Sequence, residues 1–261
     1  MEPLATADIA LVRAGNPGPF TLEGTNTWLV GRDPCWVIDP GPALDAHLDR
    51  VAADAALRGG IAGIAITHGH ADHTGGVRGL LERAGRVPVA AADHDSADVR
   101  LADGDEFGPL RAIATPGHAP DHLAFCTGRV LFTGDAVLGH GSVYVAPDPG
   151  ALRGYLGALE RLIALDLDLI CPGHGPPVTE PRAKLTEYRD HRLERERRLV
   201  EALDDGLRAI DDLLDRAWFD VPAALRDAAA VTLAAHLDKL AEEGRLPADV
   251  DRESLPRYGG G

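Results

Sequence analysis

Residues 67–73 read Thr67-His68-Gly69-His70-Ala71-Asp72-His73, and residues 61–66, directly before them, form an apolar run rich in isoleucine. A bounded apolar run of that length is expected to be a buried strand, so four side chains able to ligate a metal fall on the loop that leaves it. A spacing of two sets His68 and His70 on the same side of an extended segment. Asp72 and His73, adjacent on a tightening turn, can face a second position. Imidazole nitrogen and carboxylate oxygen are the ligand types that catalytic zinc sites use.

Three further candidates repeat the arrangement. His118 ends Thr115-Pro116-Gly117-His118, Asp135 ends Phe132-Thr133-Gly134-Asp135, and His174 lies in Cys171-Pro172-Gly173-His174-Gly175. Each is a strand, then a glycine, then a ligand. Glycine lets the backbone turn sharply enough for the side chain to reach a common centre at the strand ends. A lone histidine is usually structural or on the surface. Seven ligand-type side chains in one repeated local pattern point instead to a metal centre.

Around this set the chain has an ordinary globular composition. Its 261 residues, 45% hydrophobic and 26% charged, suit one large domain or a core domain with a small appendage. No apolar run approaches the roughly 18 residues of a membrane span, and residues 1–20 lack the basic start and apolar stretch of a signal peptide. A cytoplasmic location and no membrane partner are expected. Cys35, Cys126 and Cys171 are widely spaced in apolar stretches and read as reduced core residues. The net charge of −15 opposes non-specific attraction to nucleic acid, though it leaves room for a local basic groove.

Short strands are predicted at 27–30 and 35–38, joined as a hairpin, and at 61–66, 87–91, 110–114, 123–126, 130–133 and 167–171. Helices are predicted at 43–57, 76–84 and 152–165. Strands that first meander and then alternate with helices suggest a layered α/β sandwich. After Pro181 the texture changes to a long charged helix at 183–203, then shorter helices at 209–218, 223–228 and 232–243, broken at Gly206, Pro222 and Gly244. The expected organisation is a catalytic domain at 1–181, a small helical domain at 182–246, and a tail from 247 to 261 whose last residues, 258–261, are loose.

The histidine-x-histidine-x-aspartate-histidine run and the three glycine-ligand turns resemble the metallo-β-lactamase-fold superfamily. That resemblance implies a four-layer αββα sandwich. It implies two zinc ions, or other divalent metals, with His68, His70 and His118 on the first, Asp72, His73 and His174 on the second, and Asp135 bridging both. No ligand is missing, which argues against a non-catalytic scaffold. In such a site a metal-bridging hydroxide attacks carbonyl carbon or phosphorus, and Asp72 and Asp135 are the expected catalytic carboxylates.

Other residues are placed around that centre. Asn26 is a candidate polarising group, His122 a candidate partner for a ligand carboxylate, and His140 and His191 candidate pocket residues. His47, His94 and His236 read as structural or surface. Residues 16–27, Val37-Ile38-Asp39-Pro40-Gly41, residues 134–139, and Tyr188, His191, Arg192, Arg195 and Glu196 narrow the resemblance. They are similar to the branch of the mitochondrial lactamase-like endoribonuclease, with its C-terminal winged-helix-like unit.

Members of that branch cut single-stranded RNA, and fungal relatives release polyketides from carrier proteins as thioesterases. Three activities are therefore carried forward: endoribonuclease; hydrolase of small esters, lactones or thioesters such as acyl-glutathione or acyl-carrier substrates; and iron-dependent persulfide dioxygenase. Residues 182–261 carry a net charge of −4 against −11 for residues 1–181, so the C-terminal part is less acidic but not basic. The flavin-diiron branch has glutamate where His70 stands and is set aside.

Overall fold

A computed structural model describes residues 8–250 and residue 255. The described residues form two compact units, one from residues 8–115, 121–142 and 165–182, the other from residues 116–120, 143–164, 183–250 and 255. The tail residues 258–261, expected to be loose, lie outside the described residues.

The first unit contains two sheets. One has six strands in the order β1 (Ile9–Arg13), β2 (Asn26–Val30), β3 (Cys35–Ile38), β4 (Ile61–Ala65), β5 (Val89–Ala91) and β6 (Val99–Arg100). The first three pair antiparallel, and β3 to β6 pair parallel. The other has five, in the order β11 (Leu169–Pro172), β10 (Val130–Gly134), β9 (Leu123–Thr127), β8 (Leu110–Ala114) and β7 (Glu106–Phe107), antiparallel except for β10 with β11.

Alternation along the strands explains the layers. Trp28, Val30, Ile38 and Ala65 face a core shared with Leu110, Phe125, Phe132 and Cys171 of the second sheet. Leu29, Val37, Ile64 and Val89 face the opposite way, against Leu48, Val51 and Ala55 of α1 (Asp45–Ala56) and Val77 and Leu80 of α3 (Val77–Ala84). β2 is buried along its whole length, its polar start Asn26-Thr27 included, because both faces of the sheet are covered there.

Two differences from the sequence reading have local causes. β1 escapes notice because Ile9-Ala10-Leu11-Val12-Arg13 has weak alternation, and its pairing with β2 supplies the order. The single-turn helix α2 (Ala71–Thr74) lies inside the ligand run itself. Cys35 and Cys171 are buried and free as expected, whereas Cys126 is half-buried.

The second unit is helical: α4 (Ala151–Ile163), α5 (Pro181–Asp204), α6 (Ile210–Ala217), a 3-10 turn (Ala223–Leu225) and α7 (Arg226–Glu242). The expected helices at 223–228 and 232–243 are a short turn and one continuous helix, because Ala229, Ala230 and Val231 bury rather than break. Its core gathers Leu199, Leu203, Leu213, Trp218, Leu233 and Leu237. Among the described residues no helix is long and apolar enough to cross a membrane.

Candidate metal centre

β4 delivers the chain into the ligand run at its buried end, with Ile66 and Thr67 almost fully enclosed. The carbonyl of His70 accepts hydrogen bonds from the backbone N–H groups of His73 at 3.0 Å and Thr74 at 3.1 Å. That closes α2 and puts Asp72 and His73 on one tight turn. His68 and His73 are buried, and His68 Nε2 stands 2.9 Å from His70 Nδ1, so these two rings converge.

Four side chains of the first unit meet at a second point. His73 Nε2 lies 3.4 Å from Asp72 Oδ2, 3.4 Å from Asp135 Oδ1 and 3.3 Å from His174 Nε2. His174 Nε2 lies 3.3 Å from Asp72 Oδ2 and 3.2 Å from Asp135 Oδ2. Ligand atoms at tetrahedral angles and about 2.0–2.1 Å from a zinc ion stand roughly 3.3–3.4 Å apart. At 3.2–3.4 Å the cluster is therefore spaced close to a coordination shell, at or beyond the long end of the 2.7–3.2 Å usual between hydrogen-bonded nitrogen and oxygen. The donor set fits a divalent cation.

Electrostatics agree with that fit. Burial alone would push His73 toward its neutral form, but the carboxylates of Asp135 and Asp39 hold its pKa well above the ordinary histidine value. Burial likewise lowers and Asp135 raises the pKa of His174, leaving it at about 9. Burial raises the pKa of Asp72, yet His73 and His174 bring it down to about 2. Asp135 lies well below the carboxylate range, where His73 and His174 outweigh its burial. Ionised carboxylates packed this tightly need cations among them, and a metal would displace the imidazole protons.

The glycines before the ligands serve different ends. Gly134 takes a left-handed φ of 47°, as a sharp turn requires. Gly173 does not, but a Cβ there would stand 2.4 Å from Asp135 Oδ1, so only hydrogen lets the two ligand loops close together.

Two supporting residues had no assigned role. Asp39, 1% exposed, accepts from Thr67 N–H and the Thr67 hydroxyl, both at 2.8 Å, and binds His73 Nδ1 at 2.8 Å. It fixes the tautomer that aims Nε2 of His73 inward. Its signal was a single carboxylate between an apolar strand and Pro40-Gly41. Thr25 donates its hydroxyl to Asp72 Oδ2 at 3.0 Å, a partnership that no local spacing announces.

Other candidates move. Asn26 is not a polarising group: its Nδ2 donates to the carbonyls of Pro172 at 3.0 Å and Gly175 at 2.8 Å, and its Oδ1 accepts from Arg13 at 3.0 Å. With its backbone N–H donating to the Gly173 carbonyl at 2.7 Å, it ties the start of β2 to the loop that carries His174. His122 acts on Asp135 through the backbone: its Nε2 accepts the Asp135 N–H at 3.1 Å, which leaves Nδ1 to donate to Thr115 Oγ1 at 2.7 Å. His140 is exposed and pairs with Glu23 at 2.9 Å, which lowers the Glu23 pKa. His191 belongs to the helical unit, where Arg195 Nε contacts its Nε2 at 3.2 Å. Burial, then Arg192 and Arg195, push the His191 pKa down to about 4. His118 is buried and groups with the helical unit.

Known proteins share this architecture. Residues 20–101 and 86–174 match the Metallo-beta-lactamase superfamily, and residues 209–252 match the Beta-lactamase associated winged helix domain. The Beta-lactamase-like protein 2 homolog of Caenorhabditis elegans is 33% identical over 94% of this chain and 88% of its own length. An Atrochrysone carboxyl ACP thioesterase of Aspergillus chevalieri is 40% identical over 77% of this chain and 67% of its own. The crystal structure of a Beta-lactamase domain protein from Burkholderia ambifaria covers 90% of this chain and 86% of its own, with a TM-score of 0.76 and 24% identity. With two sheets, flanking helices and a C-terminal winged-helix domain, the chain belongs to the metallo-beta-lactamase superfamily of hydrolases.

Proposed function

We propose that the chain is a two-zinc hydrolase of acyl thioesters. In this reading His68, His70 and His118 hold one ion, Asp72, His73 and His174 hold the other, and Asp135 is shared. The observation that carries the metal centre is the 3.2–3.4 Å spacing among the donors of Asp72, His73, Asp135 and His174. When bound, the cations supply a hydroxide at neutral pH and positive charge for a developing oxyanion.

The chain's own residues prepare that reaction. Asp72 is the most open of those four groups, with 28% of its side chain exposed, and Thr25 anchors one of its oxygens. It is placed to take a proton from an attacking water. Asp39 and the backbone contact from His122 keep His73 and Asp135 from turning away.

The thioester follows from the similarity to the fungal carrier-protein thioesterase and from how the helical unit spends its arginines. Arg192 and Arg195 are buried, and Arg197 and Arg198 are paired with Glu194 and Glu201. Of the three aromatic candidates for base stacking, Tyr188 and Trp218 are buried and Phe219 alone is exposed. Such a surface gives phosphates few free cations and bases few platforms. Endoribonuclease action is the second reading, favoured by the likeness to the beta-lactamase-like protein 2 homologue running through the winged-helix part.

Purified protein should contain two zinc ions per chain and hydrolyse an acyl-pantetheine or acyl-glutathione thioester faster than single-stranded RNA, a lactone or nitrocefin. RNA cleavage that leads the panel and is lost in His68→Ala would favour the second reading. A single iron with oxygen uptake on a glutathione persulfide would overturn hydrolysis altogether.

A further inference from the structure

His118 is the one proposed ligand whose surroundings lie in the helical unit. Its Nδ1 is 3.3 Å from the carbonyl oxygen of Tyr144, and the Tyr144 ring tilts against it at 4.6 Å between centroids. A carbonyl only accepts, so Nδ1 carries the proton and Nε2 the lone pair, the form a metal-ligating imidazole needs. The Ala146 N–H also donates to the Gly117 carbonyl at 2.8 Å. Residues 143–146 thus hold the His118 turn by both its ring and its backbone. On another side the turn presses on α4: Gly117 has φ 138°, and a Cβ there would stand 2.5 Å from Tyr155 Cβ.

Two buried polar side chains hold residues 143–146 in turn. Arg192 of α5, only 2% exposed, donates to the Val143 carbonyl, and its guanidinium carbon lies 5.6 Å from the Tyr155 ring centre. Thr232 of α7, 3% exposed, accepts the Val145 N–H at 3.4 Å while donating to the Ala228 carbonyl at 3.2 Å. Burying a guanidinium is costly, and an apolar side chain of similar length would fill the space without that penalty. A rigid fork of donors does what an apolar side chain cannot: it fixes a backbone carbonyl next to the residue whose own carbonyl orients His118.

We infer that Arg192 and Thr232 are positioning residues for His118. The inference rests on the reading of His118 as a ligand. Metal content after dialysis and chelator competition test it in the full-length protein. Arg192→Met should retain one ion in place of two, with the weaker ion's affinity down by about 10–100-fold, the usual cost of losing support behind a ligand. Arg192→Lys, which can still donate to Val143, should recover most of that loss, and Thr232→Val should show a smaller loss of the same ion.

Circular dichroism reports whether Arg192→Met folds, and if it does not, Thr232→Val decides. A folded variant that holds both ions at wild-type affinity overturns the inference. So does one that loosens both ions equally, since that is general softening rather than positioning. Wild-type protein that binds no metal would instead overturn the proposed function itself.

Discussion

Asp72, His73, Asp135 and His174 all leave strand ends of the two sheets and are braced by neighbours in the same unit, whereas His118 sits on a five-residue segment that packs with the helices. The braces differ in kind. On the sheet side a buried carboxylate, Asp39, bonds directly to the ring of His73. On the helix side the ring of His118 rests on a backbone carbonyl held through intermediates. Direct support by a charged group is short and strong, while support through a segment depends on the packing of a separate core. The comparison teaches that the two ions of the proposed centre should differ in how they respond to damage far from the site.

Breaking the sheet side itself should have the largest effect. Asp135→Ala removes the carboxylate that stands 3.4 Å from His73 Nε2 and 3.2 Å from His174 Nε2 and is expected to lower turnover by roughly 10³-fold or more, with metal content falling in parallel. Gly173→Ala should come next. Its Cβ would meet Asp135 Oδ1 at 2.4 Å, so Asp135 must shift, and substantial loss of turnover with near-normal circular dichroism is the expected pair of readings.

Asp39→Asn sharpens the contrast with Arg192→Met. It leaves a side chain of the same size but weakens the bond to His73, and a loss of about 10–100-fold in metal affinity is expected. The ion lost should be the one held by Asp72, His73 and His174. If both variants release the same ion, Arg192 does not act through His118.

A smaller effect concerns pH and lies away from the ligands. His47 is 1% exposed between Thr27 Oγ1 and the Pro40 carbonyl, and burial keeps its pKa down at about 4. The unfolded chain takes up that proton below about pH 6.5, while the folded protein refuses it until pH 4 is approached. The contribution is therefore intact above pH 6.5 and is lost as pH falls toward 4, about 2 kcal/mol by pH 5. Urea midpoints at pH 7 and pH 5 should differ less in His47→Gln than in wild type. Smallest of all, Arg197→Ala removes only the exposed pairs with Glu194 and Glu201, which water and salt screen, and should leave the urea midpoint almost unchanged.

Much of the sheet side was legible because its signals are local. A buried strand followed at once by His68, His70, Asp72 and His73 can be read within one window, and so can each glycine-ligand turn. Asn26 misled for the opposite reason. Its place near those motifs suggested chemistry, but its amide is consumed by carbonyls 146 and 149 residues away. Thr25, Asp39 and His122 likewise gain their roles from partners 47, 34 and 13 residues distant. β1 needed β2 beside it to be recognised as a strand.

The amino-acid sequence alone picked out the candidate ligands, the layered α/β class and the change to a helical unit after Pro181, because strand burial, turn chemistry and ligand type are written in neighbouring residues. The tertiary structure alone decided which groups steady each ligand, which histidines stay outside the centre, and that the His118 turn packs with the helices. Hydrogen bonds and packing between residues far apart in the chain leave no periodicity to read, and they exist only once both cores have formed.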